Sequence, residues 1–217
     1  MKLEDFHRMV SSEVKRGDRL DAMIPLYTKQ AVNFLERNWP LKYMEEWVYI
    51  TLAPGDQVVD MIWSFRNFRF LRRPSATEWL YMRKANPQEE TMMAGMDTGH
   101  AYAQDTTLNK YFQIGVRYVR FNAVWNGAEN LPIEGIVYKY SDWQQTKPDF
   151  RHFLLDQGSD LLLYQTMLRI GAAIRDPRVK DLYLGLRDEA LRTFLTADED
   201  SEYAGMDDGM EYGGIYK

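Results

Sequence analysis

The three histidines are the residues best suited to acid–base or metal chemistry, and their positions favour neither. His7, His100 and His152 are scattered along the 217-residue chain, and none joins a second histidine or a carboxylate in a convincing metal-ligand spacing. His100 follows Gly99 in a predicted loop and is the best-placed lone acid–base group, but no orienting partner accompanies it. We therefore expect a solvated histidine there, no metal site and no cofactor.

Two pairs of adjacent acids, Glu45-Glu46 and Glu89-Glu90, are the nearest approach to a glycosidase carboxylate pair. Adjacent residues of a strand point to opposite faces, so we expect charged ends of elements instead. The nucleophile-elbow, phosphate-loop, dinucleotide and zinc motifs are all missing from the sequence. The chain has no cysteine, which excludes disulfides, thiolate metal sites and cysteine nucleophiles. We therefore expect no catalytic residue and no enzyme.

An arginine strip in the middle of the chain is the best nucleic-acid-like feature. It comprises Arg66, Arg69, Arg72 and Arg73, interleaved with Phe65, Phe68 and Phe70. Guanidinium groups bind phosphates and aromatic rings stack on bases, so the strip would suit a DNA-facing or channel-facing surface. A half-buried strand with basic residues facing solvent has the same pattern. The strip supports the alternative function of a nucleic-acid-binding or nucleic-acid-processing protein.

The acidity of the chain is concentrated at its C-terminal end. The net charge is −5, yet the chain up to Ala197 is close to neutral, because seven acids face only Lys217 after that point. Residues 198–217 also contain apolar and aromatic side chains spaced among the acids and glycines: Tyr203, Met206, Met210, Tyr212, Ile215 and Tyr216. We predict a flexible acidic tail that orders along a partner through these six residues.

Two helical patterns are found at the start of the chain. Leu3, Phe6, Val10 and Val14 recur at helical spacing. A longer amphipathic helix is predicted over residues 18–39, and Pro40 ends it. Pro25 either opens this main helix at Leu26 or kinks a longer one.

The middle of the chain is typical of β-structure. We predict a strand over residues 47–52 followed by a turn at 54–56, and a strand in part of 58–71. Ser75 to Glu78 fits a capping box, which predicts a short helix to about Lys84.

A long loop is then expected over residues 86–109. Two strands follow, over 111–125 and 133–140, and the Asn126-Gly127 turn between them predicts neighbours in an antiparallel sheet.

Two further helices form a predicted hairpin near the C-terminal end. Ser159 is the expected cap of the first, and Asp176-Pro177 opens the second. The second helix is expected to bury five apolar side chains: Val179, Leu182, Leu186, Ala190 and Phe194.

The fold class predicted from this order is α+β. A helical bundle would be formed by the N- and C-terminal segments, with an inserted antiparallel β-rich lobe. The predicted boundaries are 1–42 for the N-terminal helices, 43–147 for the lobe, 148–197 for the helical hairpin and 198–217 for the flexible tail. No stretch approaches the ~20 apolar residues of a membrane span, so we expect a soluble protein without membrane contact.

Several segments, in order, are similar to those of the head-to-tail adaptor proteins of short-tailed and some long-tailed bacteriophages. Residues 20–26, Leu-Asp-Ala-Met-Ile-Pro-Leu, continuing to 34–37, Phe-Leu-Glu-Arg, resemble that family's first long helix. Residues 52–56, Leu-Ala-Pro-Gly-Asp, resemble the Leu-Pro-x-Asp turn after its first strand.

The strongest likeness lies in the predicted helical hairpin. Residues 153–156, Phe-Leu-Leu-Asp, and 160–164, Asp-Leu-Leu-Leu-Tyr, lead to 172–177, Ala-Ala-Ile-Arg-Asp-Pro. This run is similar to the family's hairpin with its Asp-Pro junction. The likeness covers about two thirds of the chain, and the 86–109 loop and the acidic tail depart from it.

The resemblance implies a structural virion protein that forms a homo-oligomeric ring, typically of twelve subunits. The ring would lie in the neck between the portal protein and the tail or nozzle proteins, after synthesis in the host cytoplasm. Subunit contacts would come from the helical bundle, and the β lobe would face the tail machinery. The 198–217 tail would grip the portal or a neighbour, and genome DNA would pass through the channel without specific binding. A small tail-completion or scaffold subunit is a further hypothesis, which differs from the adaptor in its partner and not in the class of function.

Overall fold

The chain divides into two compact units, and the sequence of one is inserted within the sequence of the other. The computed structural model describes residues 1–14, 18–75, 77–86, 88–89, 108–144 and 147–204. The helical unit combines Met1–Tyr43 with Asp142–Lys217, and the β unit is Met44–Ser141. The protein is thus a mixed α+β protein, with its strands in one unit and its long helices in the other. The tail residues 205–217 and most of the predicted 86–109 loop lie outside the described residues.

The N-terminal part of the helical unit contains three helices: α1 (Leu3–Val14), α2 (Asp18–Asp21) and α3 (Ile24–Asn38). Helix α1 buries Leu3, Phe6 and Val10, as its apolar spacing predicts. Pro25 lies in the first turn of α3, where its missing N–H has no helical acceptor to lose. Pro25 therefore marks the start of a separate helix, which begins at Ile24 and ends before Pro40.

The C-terminal part of the helical unit contains α4 (Phe153–Asp156), α5 (Ser159–Ile174) and α6 (Pro177–Ala204). Helix α5 ends at Arg175, which adopts the left-handed conformation with φ 54°. Asp176 then accepts a 3.1 Å hydrogen bond from the Arg178 N–H, so the predicted Asp-Pro helix start is confirmed. Helix α5 contacts α1, α3, α4 and α6, which makes it the centre of this unit.

Three details of the helical hairpin differ from the sequence-based expectation. The residue before α5 is Gly158, and Ser159 is its first helical residue instead of its cap. A Cβ on Gly158 would lie 2.7 Å from the Phe194 ring, so close packing selects glycine there. Leu182 and Leu186 are 60% and 37% exposed, so only Phe194 of these three is buried as predicted, and α6 also buries Leu191.

Helix α6 also continues further than expected. Its last residue is Ala204, whereas the sequence predicts that helix ends near 197 and that a flexible tail begins at 198. The acids of residues 198–202 do not stop it, because Asp and Glu are tolerated at helical positions and residues 198–204 contain no proline or glycine.

The β unit is a seven-stranded sheet. Its strands are β1 (Glu45–Leu52), β2 (Val58–Asp60), β3 (Phe65–Pro74), β4 (Trp79–Lys84), β5 (Lys110–Ile114), β6 (Tyr118–Phe121) and β7 (Leu131–Lys139). Their order across the sheet is β1-β7-β3-β4-β5-β6-β2. Neighbouring strands are antiparallel, as expected for the predicted antiparallel lobe, except β4 and β5, which are parallel and make the sheet mixed.

One face of this sheet forms the core of the β unit. Phe65, Phe121, Leu52 and Leu71 are fully buried there, and Ile133 of β7 packs with them. Strand β3 reaches this core through two register shifts against β7, one between Phe65 and Asn67 and one between Phe68 and Phe70. The shifts place Phe65, Phe68 and Leu71, three residues apart, on the same buried face.

Three sequence-based assignments in the β unit are wrong. The capping-box segment closes a hairpin: the Ser75 N–H donates to the Glu78 carbonyl at 2.8 Å, and a strand follows where a helix was expected. The predicted strand over 111–125 is two strands joined by a turn at Gly115, whose φ is 63°. Strand β7 pairs with β1 and β3, so Asn126-Gly127 does not join sheet neighbours.

None of the described helices combines the length and the apolar content that crossing a membrane requires.

Candidate functional site

The outward face of β1, β7, β3 and β4 carries a cluster of aromatic side chains around one arginine. The aromatic face consists of Trp47, Tyr49, Phe70, Arg72, Trp79 and Tyr81. Strand register places these residues side by side: Tyr49 is opposite Glu134, Glu134 is opposite Arg72, and Arg72 is opposite Tyr81. Directly opposed residues share a face of the sheet, so this row crosses four strands on one side.

Ring contacts join three of these aromatic residues, Trp47, Phe70 and Tyr81, into a continuous patch. Trp47 and Phe70 meet edge to face with 5.8 Å between ring centroids, and Phe70 meets Tyr81 in the same way at 5.7 Å. The Arg72 guanidinium carbon lies 4.7 Å from the Trp79 ring centroid and 5.9 Å from those of Trp47 and Phe70. The charge of Arg72 is therefore enclosed by three aromatic rings.

An ion pair with Glu134 holds Arg72 in this position. The Arg72 Nε donates to Glu134 Oε1 at 2.6 Å, and the two side chains are 27% and 16% exposed. The hydrogen bond to Glu134 is the main cause that raises the pKa of Arg72, and a hydrogen bond with Tyr81 adds to it. Arg72 is thus a fixed cation that orients the surrounding rings.

These large rings are unusually open to solvent for their size. Tyr49 is 79% exposed, Tyr81 66%, Trp47 51% and Trp79 43%. Scattered exposed apolar residues are common, but four adjacent aromatic side chains around an arginine have the composition of a protein-binding hot spot. The arrangement can bind another protein by burying rings, and the carboxylate within it, Glu134, is engaged by Arg72.

The arginine strip is largely engaged within the fold. Arg69 donates from Nη1 to both carboxylate oxygens of Glu45, at 3.0 and 3.1 Å, and Arg72 pairs with Glu134. Arg73 donates to the Leu108 carbonyl at 2.6 Å, and Arg66 is half-buried. Because Arg69 and Arg72 are neutralised by neighbouring acids, the strip presents less positive charge than its sequence indicates.

Most of the predicted tail contacts cannot be placed on the structure. Met206, Met210, Tyr212, Ile215 and Tyr216 lie outside the described residues. The backbone of Tyr203 belongs to helix α6. The proposed role of these six residues in binding a partner therefore stays a prediction from sequence.

The histidines take structural positions where they are described. His152 caps α4, because its Nδ1 accepts the Leu154 N–H at 3.2 Å, and burial lowers its pKa to about 4. Burial also lowers the pKa of His7. His100 lies outside the described residues.

The described members of the paired acids also have partners in the fold. Glu45 pairs with Arg69, and Glu46 pairs with Lys139 at 2.9 Å. Glu89 contacts Arg83, and the hydrogen bond from Arg83 is the main cause that lowers its pKa to about 2. Within the described part of the chain, no group of three histidine or acidic residues is placed to bind a metal ion.

The comparison with known proteins gives no family for this chain: no protein-family model matches it, and no curated protein sequence matches it.

The sequence patterns did not indicate the aromatic face. Trp47 and Tyr49, like Trp79 and Tyr81, are two residues apart, which places each pair on one side of its strand. That spacing is the available signal. It could not reveal that β1 and β4 present their rings to the same surface, because β7 and β3 lie between them.

Proposed function

We propose that this chain is a structural adaptor of a bacteriophage virion, which forms a ring between the portal and the tail and binds a tail protein through the aromatic face. The observation that carries the proposal is the cluster of exposed Trp and Tyr rings fixed around Arg72. The resemblance to head-to-tail adaptors supplies the kind of assembly in which such a surface would be used.

The energetics of binding favour this surface as a docking site. Large rings with two side-chain torsions bury much area at little cost in conformational entropy. Trp, Tyr and Arg dominate interface hot spots, where truncating one residue costs roughly 2 kcal/mol or more. The Arg72–Glu134 pair is already formed, so a partner would meet an ordered surface and would not have to desolvate an isolated cation.

The helical unit supports the same proposal through its architecture. Helix α5 contacts α1 and α3 from the start of the chain and α6 from its end. These contacts are compatible with the bundle, formed by both ends of the chain, that an adaptor ring would use between subunits. The ring would hold about a dozen copies by analogy with the family.

The nucleic-acid alternative has less support. A groove that tracks a phosphate backbone needs cations free to release counterions. Arg69 and Arg72 instead have carboxylate partners, and the chain carries a net charge of −5. Genome DNA would accordingly pass the ring without specific binding.

Electron microscopy of portal rings mixed with the purified chain tests the assembly. The full-length chain is expected to add a second ring at one end of the portal, and a chain truncated after Ala204 tests whether residues 205–217 are needed. Absence of any added ring with the full-length chain, at every salt concentration tried, would overturn the adaptor proposal.

A matched pair of variants tests the role of the aromatic face. The double variant Tyr49→Ser/Tyr81→Ser removes its two most exposed rings, and Tyr118→Ser removes a 43% exposed tyrosine elsewhere in the β unit. The double variant should still add a ring to the portal but fail to receive the tail proteins. Tyr118→Ser should behave as the wild type. Normal tail attachment by the double variant would assign the tail contact to another surface.

A further inference from the structure

Helix α5 contains an arginine whose charge has no acid partner in the described part of the chain. Arg169 is half-buried, and its guanidinium carbon lies 4.5 Å from the centroid of the Phe34 ring. Its Nε is buried and has no hydrogen-bond partner among the described residues. No described carboxylate forms an ion pair with it. Arg169 is therefore oriented by packing against Phe34, and its buried Nε–H has no acceptor among the described residues.

A second arginine, Arg187 of α6, contacts the neighbouring ring: Phe34 and Trp39 meet edge to face with 5.7 Å between their centroids, and Arg187 lies over Trp39. Arg187 is 12% exposed, and its Nε donates to Asp188 Oδ1 at 2.6 Å. One terminal nitrogen of Arg187 donates to Gln165 Oε1 at 3.1 Å, and its guanidinium carbon lies 5.9 Å from the Trp39 ring centroid. These contacts fix Arg187 without occupying all five of its N–H donors.

The two arginines repel each other. Burial is the main cause that lowers the pKa of Arg169, and the charge of Arg187 lowers it further. Asp188 is the one acid bonded to this pair among the described residues, so the three charges sum to a local excess of positive charge. An anion placed between the guanidinium groups would remove the repulsion and accept hydrogen bonds from both.

We propose that Arg169 and Arg187 form a binding site for a carboxylate of a partner protein. A planar carboxylate accepts two parallel N–H groups from a guanidinium fork, and the Phe34 and Trp39 rings fix the forks that would receive it.

The surrounding charges favour one acidic side chain over a phosphate backbone. Asp188 and Glu189 are exposed on α6 next to Arg187, and the whole chain has a net charge of −5. A nucleic acid would bring further phosphates against these acids, whereas a single Asp or Glu of a partner would not.

Side-chain NMR on the full chain tests the site directly. The Nε–Hε resonance of Arg169 is identified by its loss in Arg169→Lys. The probes are N-acetylglutamate amide, its neutral analogue N-acetylglutamine amide, inorganic phosphate and a double-stranded oligonucleotide. The glutamate probe should shift this resonance with saturation in the millimolar range, and the glutamine analogue should not. No saturable shift with the glutamate probe, or tighter binding of phosphate or of the oligonucleotide, would overturn the proposal.

Variants separate the site from general electrostatics. Arg187→Gln should weaken binding of the glutamate probe by roughly fivefold or more, because it removes one of the two forks. Arg192→Gln, which removes an exposed charge one turn further along α6, should leave binding unchanged.

A second variant is used if Arg187→Gln has a folding defect. If its circular dichroism or melting temperature departs from the wild type, Arg187→Lys replaces it, and the same loss is expected because an ammonium group lacks the fork. Unchanged binding in whichever variant folds normally would contradict a two-arginine site. None of these outcomes depends on whether the chain forms a ring on a portal.

Discussion

The two units expose different kinds of apolar side chain. In the β unit they include a cluster of rings around the Arg72–Glu134 pair, besides separate aliphatic side chains such as Ile62 and Val116. In the helical unit they are aliphatic, and two of them, Leu182 and Leu186, form a leucine row four residues apart on α6. Side chains on a sheet are fixed by neighbours on both sides, whereas those on an outer helix face have neighbours only along the helix. The exposed rings of the β unit are therefore held in a more defined arrangement than the exposed leucines of the helical unit.

Strand β3 gives the sharpest test of whether the aromatic face is exposed, because it carries a phenylalanine on each of its two faces. Phe65 is fully buried in the core, whereas Phe70 belongs to the aromatic face. Phe65→Ala should lower the free energy of unfolding by roughly 3–5 kcal/mol, because it deletes a buried ring and leaves a cavity. Urea denaturation followed by circular dichroism measures it.

Phe70→Ala is the matched control, since it removes the same side chain from the same strand. It should cost clearly less than Phe65→Ala, because its ring contacts are made at a solvent-exposed surface. Equal costs for the two variants would show that the outward face is already covered within the β unit, and the contrast with the helical unit would fail.

The helical unit should respond to pH in a way that the aromatic face does not. His152 is neutral in the folded unit because burial lowers its pKa to about 4 from 6.5, with the nearby Asp156 carboxylate opposing part of that shift. As pH falls below 6.5 the unfolded chain takes up a proton that the folded chain refuses, so stability falls until about pH 4. The loss should reach roughly 3 kcal/mol. Urea denaturation across this range measures it.

His152→Asn isolates this histidine from other groups that titrate in the same range. The Asn side-chain oxygen can still accept the Leu154 N–H at the start of α4, so the cap is retained while the titration is removed. The variant should lose less stability on acidification than the wild type. Identical pH profiles for the two proteins would exclude His152 as the source.

The helical elements were largely predictable from sequence because their signals are local. The apolar spacing in α1, Pro25 in the first turn of α3 and the Asp176-Pro177 start of α6 all act within one or two helical turns. The exposed face of α6 was not predictable. Periodicity reveals an apolar stripe that includes Leu182, but it does not tell which part of the stripe the rest of the unit covers.

The β unit was less predictable because its determinants are distant in sequence. The register shifts in β3 put Phe65, Phe68 and Leu71 on one face at a spacing of three, so the alternation of an ordinary strand is missing. Ser75 and Glu78 have the chemistry of a helix cap, yet pairing of β4 with β3 turns them into a hairpin turn. Long-range pairing overrides local propensity in both cases.

The aromatic face was also hard to predict, because it depends on which strands are neighbours in the sheet. Tyr49 and Tyr81 are each recognisable as members of alternating pairs in their own strands. They share one surface only because β1, β7, β3 and β4 are consecutive in the sheet. This order differs from the order of the strands in the sequence. The arginine strip was visible in sequence, but its neutralisation by Glu45 and Glu134 depends on strand pairing.

The Arg72–Glu134 ion pair of the aromatic face should contribute less to the free energy of unfolding than the core of the β unit does. Glu134→Gln is expected to destabilise the protein by about 1–3 kcal/mol, because it leaves a partly buried guanidinium with a weaker acceptor. A double-mutant cycle with Arg72→Met measures the coupling between the two side chains. Glu46→Gln, which breaks the more exposed pair with Lys139, is the control and should cost at most about 1 kcal/mol. A vanishing Arg72–Glu134 coupling would mean that the rings are not held by a fixed cation.

The smallest effect should come from the leucine row on α6, which completes the contrast. Leu182 is 60% exposed and Leu191 is 7% exposed on the same helix. Leu182→Ala should change the free energy of unfolding by less than about 0.5 kcal/mol, because alanine is a strong helix former and little buried area is lost. Leu191→Ala should cost roughly 2–5 kcal/mol. Urea denaturation of both variants decides the matter: if Leu182→Ala costs as much as Leu191→Ala, the row is buried within the helical unit and only the β unit presents an open apolar surface.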